Sequence, residues 1–238
     1  MQANDLASEL IDHWNFADAA ESERRFRTLL DRIHGDSEAE AVVLTQIARA
    51  QGLSRRFAEG HATLDVVEAV PAARGARVGT RLALERGRLF SSAREVARAR
   101  PLFAAAWERA GAAGEDALAV DAAHMLAVVE TDPVLQATWN ERALALAEAS
   151  GDPLARRWRA SLLNNLGWIR HGEGRFVEAL DLFERVRTRS RRGGGTVVRT
   201  DARRAGEGPR VRRDRAGAVG TPPACRASQG GSVKLEAL

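Results

Sequence analysis

At 238 residues, 45% of them hydrophobic, the chain is long enough to bury a sizeable core. Its one cysteine, Cys225, excludes an intramolecular disulfide and any cysteine-based metal cluster. The net charge of +4 is unevenly spread: residues 187–238 hold 12 Arg and 1 Lys against 4 acidic residues, so residues 1–186 are net acidic, and the basic balance is no argument that this larger part binds nucleic acid.

The N-terminus, Met1-Gln-Ala-Asn-Asp-Leu6, carries an acid where an export signal would carry positive charge and then an apolar run, which predicts a cytoplasmic protein. Asp18-x-x-Glu21 is a helix start, and Phe26, Leu29, Leu30 and Ile33 follow at helical spacing, so residues 4–34 are expected to form an N-terminal helix pair with Phe26 and Leu29 facing the core. Gly35 precedes Ser37-x-x-Glu40, which has the form of a capping box. Leu44-x-x-Ile47-Ala48 with Leu64 and Val67 then reads as one helix pair, and Leu82-Ala83 with Ala99-x3-Phe103 and Ala106 as the next. Ser91-Ser92 ends the first helix of that second pair. Pro101 falls near the end of the first turn of its partner if that helix begins near Val96. The most apolar window, Ala117–Val129, contains Asp121 and His124 and is far shorter than the ~20 residues needed to span a bilayer, so no membrane association is expected. A third pair runs from Leu126-Ala127 to Ala143. In Asp132-Pro133 and Gly151-Asp152-Pro153 an acid is placed to cap and a proline stands at the first helical position, where its missing N–H costs nothing. The clearest segment comes last: Leu163-Leu-Asn-Asn-Leu-Gly-Trp168, then Gly174-Arg-Phe176, Ala179 and Phe183. No alternating strand pattern is present.

After Val186 the helical pattern gives way to arginine, glycine, alanine and proline without an aromatic residue, a composition that cannot offset its conformational entropy by burial. Residues 187–238 are therefore expected to be a disordered tail. Two origins stay open: a basic arm that binds a polyanion by neutralising phosphates, or out-of-frame translation of a G+C-rich gene, a composition consistent with Lys234 being the only lysine and with the absence of tyrosine. In the second case the last helix pair lacks its natural cap, and self-association through its apolar surface near Phe183 and Val186 is expected.

No catalytic constellation is present. His13, His34, His61, His124 and His171 are scattered, with no second ligand at zinc-like spacing. Gly172-Glu-Gly-Arg-Phe176 lacks the frame of a phosphate-binding loop and reads as a turn, and Gly193-Gly-Gly-Thr196 follows no strand. A non-enzymatic protein without cofactor or metal is the expectation.

The segment 163–183 resembles the tetratricopeptide repeat, whose pattern is W-x2-L-G-x2-Y, then A-x3-F, then P. Leu163 takes the Trp place, Leu166-Gly167 and Ala179-x3-Phe183 match, and Arg170 and Arg191 depart from the Tyr and Pro. Looser copies upstream place small residues at Ala48, Ala83, Ala127 and Gly167, at intervals of 35, 44 and 40, longer than the family's basic unit. The resemblance implies an all-α fold: a right-handed superhelical stack of about four to five antiparallel helix pairs over residues 1–186, whose concave groove is lined by the first helix of each pair. Positions flanking the Leu-Gly pair then nominate Gln46 and Arg49, Arg77, Arg81 and Arg88, Asp121 and His124, and Asn164, Asn165, Trp168 and His171 as partner-binding residues. An Asn amide can pair with an extended peptide's backbone, Arg can grip a carboxylate, and Trp offers a flat apolar anchor. The two-carboxylate clamp of some members is not expected, because its lysines are missing. The implied function is a scaffold that binds a peptide or protein in its groove. The alternatives are the sensory or regulatory part of a transcriptional or signalling protein, or nucleic-acid binding confined to the arginine-rich tail.

Overall fold

The computed structural model describes residues 3–192; the expected tail from residue 193 onward lies outside the described residues. Every regular element within them is helical. In chain order these are α1 (Ala3–His13), α2 (Ala19–Arg32), α3 (Ser37–Leu53), α4 (Phe57–Ala69), a single 3-10 turn (Pro71–Arg74), α5 (Ala76–Ser92), α6 (Val96–Ala113), α7 (Asp116–Val129), α8 (Pro133–Ala149), the short α9 (Pro153–Arg157), α10 (Arg159–Gly172) and α11 (Phe176–Arg192). The last helix runs through Arg192, so the domain boundary expected after Val186 falls inside it.

Side-chain chemistry fixes the helix starts. Asp18 Oδ1 accepts from the Glu21 amide at 2.9 Å, and Asp132 and Asp152 accept from Val134 and Leu154 at 2.8 Å each, just ahead of Pro133 and Pro153. At α3 the cap is Asp36, which takes the Ala39 amide, while Glu40 reaches back to the Gly35 amide at 2.7 Å. Ser37, the expected cap, is instead the first helical residue: of two adjacent candidates the carboxylate wins, since it accepts in a charge-assisted bond at the positive end of the helix. Pro101 sits inside α6 as expected.

Consecutive helices pack on one another, α3 with α4, α5 with α6, α7 with α8 and α10 with α11, and α3 also meets α5 and α5 meets α7. The turn inside a pair recurs. Arg55, Arg94 and Gly174 each take a left-handed conformation (φ 60°, 67° and 75°), and the next amide bonds back to a carbonyl in the last turn, as in Arg56 N–H to Gln51, Glu95 N–H to Phe90 and Arg175 N–H to Arg170. This is a helix C-terminus closed by a residue at positive φ, where glycine is the unstrained choice and two copies place arginine.

The small-residue register differs from the expected one. Gly87, not Ala83, lies beneath Phe103: a Cβ at Gly87 would stand 2.5 Å from the Phe103 ring, as one at Gly167 would from the Phe183 ring. With Gly87 in place of Ala83, the small positions Ala48, Gly87, Ala127 and Gly167 recur at 39, 40 and 40 residues, so the apparent irregularity of 35 and 44 came from a one-turn slip along α5.

The core is built of successive clusters along the chain. Phe26, Leu29, Val43, Ile47 and Val67 form its first section, closed at the N-terminal end by Leu6 and Leu10 of α1. Leu84, Phe103, Ala106, Leu118 and Leu126 form the second, and Val120, Ala143, Leu162, Leu163 and Leu166 the third. Each section draws on more than one pair, so no pair buries its apolar face alone.

Two glycines separate helix propensity from packing. Gly87→Ala gains helix propensity but drives a methyl into the fully buried Phe103 ring. A net destabilisation of about 1–2 kcal/mol is expected. Gly111→Ala in α6 meets nothing within 4 Å, so only the propensity gain, up to about 1 kcal/mol, remains. Urea denaturation of both variants checks the opposite signs.

Candidate functional site

The first helices α3, α5, α7 and α10 bring most of the nominated polar residues to one shared row. Residues 77, 81, 85 and 88 of α5 lie three or four apart and so share a stripe of the helix, away from Gly87, which faces Phe103.

At one end of the row, Trp14 Nε1 donates to Gln46 Oε1 at 3.2 Å, and the buried Gln46 amide donates to Thr45 Oγ1 at 3.1 Å. The Arg49 guanidinium stands 5.5 Å from the Trp14 ring centre, and its NH1 is 3.8 Å from Glu85 Oε1. Arg88 lies between two carboxylates, donating to Glu85 Oε1 at 2.6 Å and forming a close ion pair with Asp121 of α7. Burial opposes its charge, but Asp121 and Glu85 outweigh that and raise its pKa.

One turn beyond Asp121, His124 is buried with its ring 5.2 Å from that of Trp158. Asn165 of α10 places its Nδ2 3.5 Å from His124 Nδ1 and 3.3 Å from Asn140 Oδ1, and Asn140 Nδ2 donates to the Gln136 carbonyl at 2.9 Å. The row thus links four first helices through side chains spent largely on one another, and it leaves Gln46, Asp121 and His124 buried.

Arg81 is the exception at the centre. Its Nε is buried without a hydrogen-bond acceptor, and it forms no ion pair among the described residues. Burial pulls its pKa down, against the attraction of Glu85 and Asp121. Arg49, Arg81 and Arg88 lie around Glu85 and Asp121, with Glu115 adding to the attraction on Arg81 and Arg77 opposing it.

Of the remaining nominated residues, Arg77 begins the α5 stripe and pairs with Glu115 at 3.1 Å, and Asn164 is half-buried on α10. Trp168 and His171 stand outside the row: both are exposed at the end of the stack, where Trp168 contacts the rings of His171 and Phe183. Sequence reasoning missed Glu85, the buried acid on which Arg49 and Arg88 converge. Its spacing, four residues after Arg81 and three before Arg88, was a readable signal of charge pairing along a helix. Asn140 was missed because it comes from a second helix, α8, and no spacing rule points across the pair. Among the described residues no group of His, Cys, Asp or Glu is arranged to hold a metal ion, and no helix is long and apolar enough to cross a membrane.

Burial is the main cause that holds the His124 pKa down at about 4, with Arg88 and Arg49 acting in the same direction and Asp121 opposing. A base whose folded pKa lies below its unfolded value of about 6.5 favours the folded state when neutral. Stability is then fully present above about pH 6.5 and falls as pH drops toward 4, on the order of 3 kcal/mol in total. His124→Gln should flatten the stability profile over that window in pH-dependent denaturation.

No family model and no curated protein matches the sequence. The chain is similar in fold to the crystal structure of BtubC (BKLC) from P. vanneervenii, with a TM-score of 0.58 and 16% sequence identity over 86% of this chain and 82% of that one.

Proposed function

We propose that the domain is a tetratricopeptide-type solenoid, a right-handed superhelical stack whose concave face is the row of first helices, and that it binds an extended peptide or protein segment there without performing chemistry on it. The observation that carries this reading is the row itself: charged and amide side chains from α3, α5, α7 and α10 turned to one face, held in place by Glu85, Asp121 and Asn140. Burying such groups costs stability relative to an apolar row, so recognition is the reading that gives the arrangement a purpose. The recurrence of a small residue at 39, 40 and 40 residues, in two pairs beneath the second helix's Phe103 or Phe183, supports the repeat assignment.

Within the row, Arg81 is the natural anchor, because its Nε is buried without a hydrogen-bond acceptor among the described residues. A carboxylate of the ligand would meet Arg81, while main-chain amides would pair with Asn164 and with whatever bonding capacity Asn165 retains.

The test is selection of binders from a displayed library of random peptides, followed by hydrogen-exchange mapping and Arg81→Ala. Protection on α3, α5, α7 and α10, with affinity reduced about tenfold or more in Arg81→Ala and an unchanged helical spectrum, is the expected result. Binders that protect only the second helices α4, α6 and α8, or that hold Arg81→Ala equally well, would remove the reading.

A further inference from the structure

Two buried polar atoms in the middle of the row have no partner among the described residues. Arg81 Nε is a donor without an acceptor, and Glu85 Oε2, on a side chain only 3% exposed, is an acceptor without a donor. Buried atoms of either kind are rare, because each forfeits the bond it made to water. Thr80 Oγ1 and Arg159 Nε are also unbonded, but they lie off the stripe: Thr80 is roughly 100° round α5 from Arg81, and Arg159 begins α10.

The mismatch on Glu85 is one-sided. Its Oε1 accepts from Arg88 at 2.6 Å and stands 3.8 Å from Arg49 NH1, while Oε2 accepts from neither. Arg81 does not supply the missing bond, although it stands one helical turn away on the same stripe.

We propose, on the reading of the row as a binding face, that the segment bound there brings both missing partners: a carboxylate for Arg81 and, two residues further along the extended chain, an Asn or Gln side-chain amide that donates to Glu85 Oε2.

Spacing selects residues two apart. Side chains at i and i+4 of a helix have Cβ atoms about 5–6 Å apart, and side chains at i and i+2 of an extended chain share a face at about 6.5–7 Å. Charge selects a neutral donor. Arg49 and Arg88 already stand on Glu85, and Arg81 is drawn toward it, so a ligand ammonium at Oε2 would enter among three guanidinium groups. A primary amide supplies the N–H without the charge. A second carboxylate at that point would instead meet Glu85 and Asp121, both buried.

Access runs through Arg81. Its side chain is half-buried and makes no hydrogen bond among the described residues, so turning toward a ligand carboxylate breaks none there. Such a change of rotamer is ordinary at an interface, and it opens the stripe beside Glu85 to the amide that follows.

The test uses the full chain and a synthetic peptide array in which Asp is followed two positions on by Gln, Asn, Glu, Lys or Leu, with the flanking positions randomised. Gln and Asn pools should bind about tenfold or more tighter than Glu, Lys or Leu pools. Glu85→Gln should invert the order: its remaining oxygen stays with Arg88, its amide turns a donor toward the ligand, and Glu becomes the preferred second residue while circular dichroism is unchanged. Binding that needs Arg81 but ignores the second residue, as a water retained between Arg81 and Glu85 would give, overturns the amide assignment and leaves the binding face standing. Lys pools that bind best overturn it too. No binding by any pool, or binding that Arg81→Ala leaves unchanged, removes the binding face along with it.

Discussion

The architecture depends on how closely the two helices of a pair approach, and that approach depends on a small residue beneath a large one. Phe103 lies on Gly87 and Phe183 on Gly167, at distances that leave no room for a Cβ. The same device brings α4 onto α3, where Gly60 lies against the Ala48 carbonyl and under Leu89 of the following pair. Close approach within a pair fixes which face of the first helix is spent on its partner. The flanks of that helix are then taken by the first helices before and after it, and one narrow stripe is left. Regular recurrence of the small residue makes the stripes of successive pairs coincide in a row.

What fills the stripe follows from electrostatics. Arg88, gripped by Glu85 of its own helix and Asp121 of the next, ties α5 to α7, and Asn165 with Asn140 and His124 ties α10 to the pair before it. Removing one partner from such a buried pair strands the other, so these bonds act on the register of neighbouring helices. An apolar stripe of similar volume would tolerate sliding by one helical turn. A donor-and-acceptor row has one alignment that satisfies its members. Glu23 does comparable work at the N-terminal end: buried between Arg27 and Arg56, and bonded by Gln51, it joins α2, α3 and α4, and the two arginines overcome its desolvation to hold its pKa below the usual carboxylate range.

The features legible in the sequence were those in which one residue's chemistry dictates the local backbone. Asp-Pro starts, the break after Ser91-Ser92 and the spacing around Phe26, Phe103 and Phe183 all stand where they were expected. Ambiguity arose wherever two neighbours could serve the same purpose. Asp36 and Ser37 can both cap, and Ala83 and Gly87 are both small and one turn apart; only the position of the Phe103 ring distinguishes the latter two. The left-handed turns at Arg55 and Arg94 were hidden because arginine gives no sign of positive φ, whereas Gly174 does. For the site, the helix faces of Gln46, Asp121 and His124 were readable but their burial was not, since it depends on how tightly neighbouring first helices close over the row.

The two ends of the stack are unequal, and the inequality bears on the row. α1 lies over the first core section, so the N-terminal pairs gain contacts on both sides, whereas among the described residues α10 and α11 gain them on one. In an array where stability is a sum over neighbours, opening free energy falls toward the uncovered end. Asn165, the last side chain to join the row, is carried by α10 and reaches back to His124 and Asn140. Fraying of the final pair therefore removes Asn165 from the row and leaves the buried His124 without its neighbouring amide.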